Sequence, residues 1–353
     1  MRFLLSGGGT GGPTSTLLSL IPELKRHYKR AEFLFVGDDA GITKSLVEQA
    51  GIPMETISAG KFRRYASAKN FTDVGQVFRG IGQAKKIIEK WKPDIIISAG
   101  SFVSVPMVIA GWMKSVPVLI HQQDAKAGLA NKIMSPFAHS ITTALEVSCA
   151  AFPPHKTHWT GNPARDTILH GDRRKAQEKF HLENDASTLL VVGGGTGAAG
   201  LNMLIEDAGE QLAEVCNIIH ITGMGKKTVW RHERYHPIEF AEQDFGDILA
   251  ASDVVVSRAG MAAATELAAL KKPVIFVPMP DSHQEKNAQI FAEAEAGLVV
   301  QQAEGAQKLV KAVQKIVKNG KLQKALGQNL FRMLQPLASV RNIIAQIDTI
   351  VST

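Results

Sequence analysis

The sequence predicts an α/β fold of two Rossmann-like domains facing each other across a cleft. Three observations predict it. Short apolar runs alternate with amphipathic runs, and a strand–GGGTG–helix unit occurs twice, once at Gly7 and once at Gly193. At 353 residues the chain is also longer than one hydrophobic core usually spans. Continuous apolar strands joined by helices belong to a parallel sheet covered on both faces.

The elements follow in order. Residues 1–6 are apolar and run into glycines. Pro13–Tyr28 reads as a helix with Leu17, Leu18, Ile21 and Leu24 on one stripe. Pro13 suits a first helical turn, where its missing N–H costs nothing. Phe33–Val36, Ile95–Ser98, Pro117–Ile120 and Ser140–Thr143 are further strands. The pattern restarts with strand Ser187–Val192, loop Gly193–Gly200 and helix Leu201–Leu212. Strands Asn217–Ile221, Val254–Ser257 and Val274–Pro278 continue it, and the chain is helical from Leu322. His158–Asp166, which contains Gly161 and Pro163, is the expected linker. Domains are expected at 1–160 and 161–335, with a helix at about 336–353 returning to the first.

Composition excludes several classes. The two cysteines, Cys149 and Cys216, are too few for a disulfide framework or a zinc ribbon. The first apolar run, Phe3–Leu5, stops at a glycine loop rather than forming a signal peptide. Apolar stretches such as Phe102–Met113 fall short of the roughly 20 residues that span a bilayer. A cytoplasmic chain is expected. The net charge of +7 favours an acidic partner such as a polyanionic substrate or an anionic membrane face. Without a basic tail or a basic run interleaved with aromatics, nucleic acid is not the expected partner.

Several motifs carry chemistry. A glycine loop between a strand and a helix puts backbone N–H groups and a helix N-terminus at one point, a geometry that binds phosphate. Two such loops suit two phosphorylated groups. The first, GGGTGGPT at 7–14, fits the dinucleotide fingerprint through Gly7, Gly9 and Gly12. It fits the P-loop through Gly7, Gly12 and Thr14, but Pro13 stands where the lysine belongs. Asp38 and Asp39 follow the second strand, where a ribose-binding acid would lie; a tight strand–helix junction is the favoured reading. HERYH at 232–236 matches a zinc-protease pattern. Pro237 cuts that helix short and no third ligand follows, so no metal is expected there or at His155 and His158. In SRAGMAAATE (257–266), Gly260 precedes a helix whose Glu266 can accept hydrogen bonds from a ribose. His283, Gln284 and Asn287 follow another strand end and suit a sugar ring.

Together with SAGKFRRY (58–65), SAGSFVSVP (98–106), HQQDAKAGLAN (121–131) and TGNPAR (160–165), these motifs resemble the MurG family. Its members transfer N-acetylglucosamine from UDP-N-acetylglucosamine to undecaprenyl-pyrophosphoryl-N-acetylmuramoyl-pentapeptide in peptidoglycan synthesis. The resemblance implies the glycosyltransferase B fold. It implies a donor site in which Gly194, Gly195, Thr196 and Gly197 face the diphosphate, with Arg165 as charge partner. Glu266, beside Gly260, would hold the ribose, Phe240–Ala241 the uracil edge, and His283, Gln284 and Asn287 the sugar. The acceptor's pyrophosphate would lie on Gly8, Gly9, Thr10, Gly11 and Gly12 and on Gly100 and Ser101, with Phe102 and His121 beside them. No metal or cofactor is expected, since helix N-termini and Arg165 can offset the charge of leaving UDP. Docking on the cytoplasmic face of an anionic membrane would use Phe71, Val74, Phe78, Ile81 and Trp112 within a basic rim that includes Arg63 and Arg64. Spacing alone equally allows that stripe to face the core. Cell-wall synthesis or division proteins are the expected protein partners.

The chain departs from the family at three places. Pro13 replaces a histidine suspected of proton transfer, and Gln122 and Asp124 replace the glutamate and asparagine of HEQN. A subgroup carries the aspartate. Asp124 is therefore the expected base for the acceptor's 4-hydroxyl, with capping of a helix at Ala127–Met134 as the structural alternative. A transferase for another acceptor, or a non-catalytic UDP-sugar-binding protein, are the remaining readings.

Overall fold

The computed structural model describes the chain apart from residues 10, 39–40, 59–68, 195–197, 227, 242–243 and 353, and gives the backbone alone for 69–74. The described elements are β1 (Arg2–Ser6), α1 (Gly11–His27), β2 (Glu32–Gly37), α2 (Gly41–Gln49), β3 (Met54–Thr56), α3 (Lys69–Trp91), β4 (Ile95–Ser98), α4 (Ser104–Met113), β5 (Val118–Gln122), α5 (Leu129–Met134), β6 (Ser140–Thr143) and β7 (Thr157–Trp159). They continue with α6 (Arg173–Lys179), β8 (Ser187–Val192), α7 (Ala199–Ala213), β9 (Cys216–Ile221), β10 (Tyr235–Ile238), α8 (Phe245–Ala251), β11 (Val254–Ser257), α9 (Met261–Ala269), β12 (Val274–Phe276), α10 (His283–Glu293) and β13 (Leu298–Val299). Three helices close the chain: α11 (Gly305–Val317), α12 (Gly320–Leu334) and α13 (Ser339–Val351).

The chain divides into an N-terminal unit, Met1–Pro163 with Leu337–Thr353, and a C-terminal unit, Ala164–Pro336. The N-terminal sheet is wholly parallel in the order β3-β2-β1-β4-β5-β6-β7. Phe3 and Leu5 point to one face of it and Leu4 to the other, and each face has its own core. One core holds Leu17 and Leu24 of α1 with Ile343, Ile344 and Ile347 of α13, so the last helix completes the first unit. Asp348 on α13 accepts from the Tyr28 hydroxyl at 2.5 Å, just past the end of α1. The other core packs α3 and α4. Gly80 lets those helices meet, because a Cβ there would lie 3.0 Å from Pro106 and still closer to the Ser58 carbonyl. The C-terminal sheet is also parallel, in the order β10-β9-β8-β11-β12-β13, over a core of Leu189, Val191, Leu201, Ile205, Val256 and Val313 among others.

Several boundaries differ from expectation. Helix α1 starts at Gly11, so Gly11 and Gly12 belong to its first turn and Pro13 is its third residue. The segment taken as linker begins as strand: Thr157–Trp159 is β7, hydrogen-bonded to β6. HERYH forms no helix. His236 sits on edge strand β10, while His232 Nδ1 accepts the Arg234 N–H in the turn before it. Among the described residues no group of three or more His, Cys, Asp or Glu is placed to hold a metal ion.

Candidate active site

In an open parallel sheet, ligands collect beyond the carboxyl ends of the strands, where the strand order reverses. The N-terminal sheet reverses between β1 and β4 and the C-terminal sheet between β8 and β11. Gly7–Gly9 follow β1 and Gly193–Gly194 follow β8, so each glycine segment lies at its own sheet's reversal.

In the N-terminal unit Gly9 has φ +79°, and its missing Cβ would lie 3.7 Å from Ser101 Oγ. Gly100 and Ser101, after β4, have φ +100° and +79°. A serine in that conformation is strained, so the surroundings must hold it. They do: Gly100 N–H donates to Ser98 Oγ, Ser104 Oγ donates to the Gly100 carbonyl, and Ser6 Oγ donates to Ser104 Oγ. Asp38, after β2, accepts the Gly9 N–H through Oδ2 at 2.9 Å.

The loop after β5 is laced by Gln122. Its amide donates to the carbonyls of Asp124 (2.8 Å) and Lys126 (3.3 Å), and its Oε1 accepts from Asn131 Nδ2 (2.7 Å). A glutamate could not donate the first two. Ser148 Oγ also donates to the Asp124 carbonyl. Asp124 is half-buried and is not the N-cap of α5, which starts at Leu129, two residues later than expected, with Gly128 as its N-cap and no side-chain cap bond. Asn131 is 4% exposed, and its Oδ1, which faces Gly100 within 3.4 Å of a Cβ built there, has no partner among the described residues.

In the C-terminal unit Gly194 has φ +93°, and α7 begins a few residues on with no side-chain cap bond. Arg258, directly after β11, is 6% exposed. Its guanidinium donates to the carbonyls of Val277 and Pro278 and to Gln302 Oε1 at 2.9–3.0 Å. Gln302 in turn fills the space a Cβ on Gly200 of α7 would need. Burial lowers the pKa of Arg258, and its described partners are all neutral. Glu266 on α9 is 8% exposed and accepts from Arg165 Nε at 2.5 Å. Burial works against the Arg165 charge, but the Glu266 carboxylate outweighs it and holds the guanidinium above its ordinary pKa. Arg165 also lies over the Phe245 ring.

Residues 3–143 match the glycosyltransferase family 28 N-terminal domain, and residues 188–341 match the family 28 C-terminal domain. A UDP-N-acetylglucosamine–N-acetylmuramyl-(pentapeptide) pyrophosphoryl-undecaprenol N-acetylglucosamine transferase of Clostridium tetani is 37% identical over 314 residues, 87% of each chain. A second such transferase, from Bacillus cereus, is 34% identical over 330 residues, 92% of this chain and 93% of its own. The chain belongs to the MurG family. The crystal structure of Acinetobacter baumannii MurG aligns over 99% of both chains with a TM-score of 0.74 and 22% identity, a likeness of fold.

Of the residues expected for a MurG-family site, the C-terminal unit brings Arg165 and Glu266 into one ion pair and leaves Phe240 and His283 exposed after β10 and at the start of α10. Ala241 is half-buried beside Phe240, and Gly260 is the N-cap of α9. Gln284 Oε1 accepts the Met279 N–H, which fixes the turn before α10. Two of the expected residues are buried and hydrogen-bonded within the fold. Asn287 is fully buried and donates to the Ala259 carbonyl, so it ties α10 to the strand end bearing Arg258. His121 is 2% exposed, with Nδ1 2.9 Å from the Thr142 hydroxyl and Nε2 2.8 Å from Asn162 Oδ1. Neither nitrogen is left for an acceptor, and burial pushes its pKa down to about 4.

Phe102 packs partly against the core, as does Ile81, which therefore does not share Phe78's outward face. Phe78 is 69% exposed, and Trp112, 53% exposed, packs edge-on against Phe137. Thr10, Gly195, Thr196, Gly197, Arg63 and Arg64 lie outside the described residues, as do the side chains of Phe71 and Val74. Sequence reasoning missed Arg258 and Asn131 as candidates for the site. The signal for Arg258 was a charge placed directly after the apolar run VVVS; for Asn131 it was a polar residue on a strand-end helix.

Proposed function

We propose that this chain transfers N-acetylglucosamine from UDP-N-acetylglucosamine to the 4-hydroxyl of undecaprenyl-pyrophosphoryl-N-acetylmuramoyl-pentapeptide. The observation that carries the reading is the match to transferases of that name along nearly the whole chain, together with family 28 domain matches that take in both glycine segments. The C-terminal unit holds the donor. Its diphosphate sits after β8 at the start of α7, and the buried charge of Arg258 and the half-exposed charge of Arg165 favour an anion there. Glu266 accepts the ribose hydroxyls, with Arg165 fixing the carboxylate. Phe240–Ala241 meets the uracil, and His283 and Gln284 meet the sugar. The N-terminal unit holds the acceptor, with its diphosphate on the turns at Gly9 and Gly100.

The reaction is a single inverting displacement. The acceptor's 4-oxygen bonds to the anomeric carbon as the bond to the UDP oxygen breaks. The hydroxyl proton goes to Asp124, held in place through its backbone by Gln122 and Ser148. Pro13 has no proton to give or take, so the base is sought elsewhere than at residue 13. The exposed Phe78 and Trp112 support docking on the cytoplasmic face of an anionic membrane. Among the described residues no helix is long and apolar enough to cross one.

Transfer of radiolabelled N-acetylglucosamine to a panel of lipid-linked sugars tests the reading. Asp124→Asn should lower kcat by roughly 10²–10⁴-fold, the usual worth of a general base, with little change in donor affinity. Normal turnover in that variant would remove Asp124 from the mechanism. Transfer to a different acceptor alone would replace the substrate named here.

A further inference from the structure

The first glycine turn meets an anion from its own chain. Asp38 Oδ2 takes the Gly9 N–H at 2.9 Å. The fit is close, since a Cβ on Gly8 would lie 2.7 Å from Oδ1. That second oxygen is buried and has no hydrogen-bond partner among the described residues. An N–H directed outward by a glycine turn is the group an arriving phosphate oxygen would take. A carboxylate already bound there repels the phosphate and holds the same donor.

Among the described residues, the C-terminal unit shows no such carboxylate at the matching strand end. β9 flanks β8 as β2 flanks β1. After β9 comes Thr222, whose N–H and hydroxyl both donate to the Ile238 carbonyl. An acid after the strand that flanks β1 and a threonine after the strand that flanks β8 give the two strand ends opposite preferences for a bare diphosphate.

We propose that Asp38 is a built-in competitor for the diphosphate at the first glycine turn. The proposal rests on the reading that this turn takes the acceptor's diphosphate. Asp38 sets specificity by exclusion. A chain with two phosphate-binding turns risks seating the abundant UDP-sugar in the wrong one. With Asp38 on Gly9, a diphosphate alone gains little from the first turn. A lipid-linked acceptor has further sugar and lipid contacts and can displace the carboxylate. Displacement costs one hydrogen bond to Gly9 and releases an oxygen that was buried without a partner.

The test uses the full chain, unmodified and as Asp38→Asn and Asp38→Ala. Inorganic pyrophosphate is titrated while the amide signals of Gly7–Gly9 are followed by NMR, and steady-state KM values are measured for UDP-N-acetylglucosamine and for the lipid-linked acceptor. Both variants should bind pyrophosphate at Gly7–Gly9 at least tenfold more tightly than the unmodified chain. UDP-N-acetylglucosamine should become a measurable competitor of the acceptor, while its KM as donor stays the same. Asp38→Asn keeps an oxygen for the Gly9 N–H and carries the test should Asp38→Ala fold poorly. Equal or weaker pyrophosphate binding at Gly7–Gly9 in the variants overturns the proposal and leaves the acceptor-loop reading standing. No response of Gly7–Gly9 in any of the three chains overturns both.

Discussion

The two units share an architecture and differ in charge. Each has a parallel sheet with a glycine turn where the strand order reverses. Around the N-terminal turn lie an acid and small hydroxyls, namely Asp38, Ser6, Ser101 and Ser104. Beyond the C-terminal sheet's strand ends lie two guanidinium groups, Arg258 and Arg165, with Glu266 bound to the second. The shared topology fixes where a ligand can sit. The residues just past the neighbouring strands fix what charge it can carry, so in the proposed reading one fold duplicated in one chain serves two different substrates.

The largest effect is expected where the charges of the C-terminal unit are paired. Glu266→Ala removes the proposed ribose acceptor and leaves Arg165 without its carboxylate. A hydrogen bond to a charged group contributes about 1.5–3 kcal/mol, so UDP-N-acetylglucosamine affinity by calorimetry should fall by roughly ten- to a hundredfold. Acceptor KM should change little. Unchanged donor affinity would remove the ribose role and, with it, half of the contrast between the units.

The next test uses a feature the units have in common. Each buries a histidine with both nitrogens engaged. His121 faces Thr142 and Asn162, and His220 faces the Tyr235 hydroxyl and Asn202. Burial pushes each pKa from 6.5 down to about 4. The unfolded chain takes up protons on these rings below pH 6.5, whereas the folded chain does so only near pH 4. Their contribution is therefore complete above pH 6.5 and is lost as pH falls through that window. At about pH 5 each histidine should cost roughly 2 kcal/mol of stability, from about 1.4 kcal/mol per pH unit. Urea denaturation at pH 7.5 and pH 5 measures this. His121→Gln and His220→Gln should each flatten the dependence. A slope that survives both substitutions would assign it to other groups.

The strands that sequence patterning located were the inner ones. β1, β4, β5, β8 and β11 read as apolar runs because both faces of a parallel sheet are covered. Edge strands such as β3 (MET), β10 (YHPI) and β13 (LV) are short and partly exposed, so they lack that signature. The site was legible in kind more than in contact. Gly9, Gly100, Gly194 and Glu266 stand out because a glycine turn or a polar group at a strand end is where an open parallel sheet meets its ligand. His121 and Asn287 carried the same signal, yet both are spent inside the fold. Their partners, Asn162 and the Ala259 carbonyl, lie far from them in sequence, and patterning cannot see a hydrogen bond across that separation. Arg258 escaped for the opposite reason: a charge after an apolar strand reads as exposed until the carbonyls that receive it are located.

The smallest effect on stability separates the units by surface. Phe78 on α3 is 69% exposed, whereas Ile81, three residues on, packs against the N-terminal core. Phe78→Ser should change the stability measured by urea denaturation by no more than about 0.5 kcal/mol, the usual range for a surface site. Ile81→Ser should destabilise by more, because it puts a hydroxyl against apolar neighbours. Burying an exposed phenylalanine in a bilayer interface is worth up to about 1.5–3 kcal/mol, so Phe78→Ser should weaken sedimentation with anionic vesicles by roughly tenfold. Equal vesicle binding by both chains would take α3 out of the docking surface. A tenfold loss with unchanged stability would make membrane contact a property of α3 in the N-terminal unit, the one that also holds the lipid-linked substrate in the proposed reading.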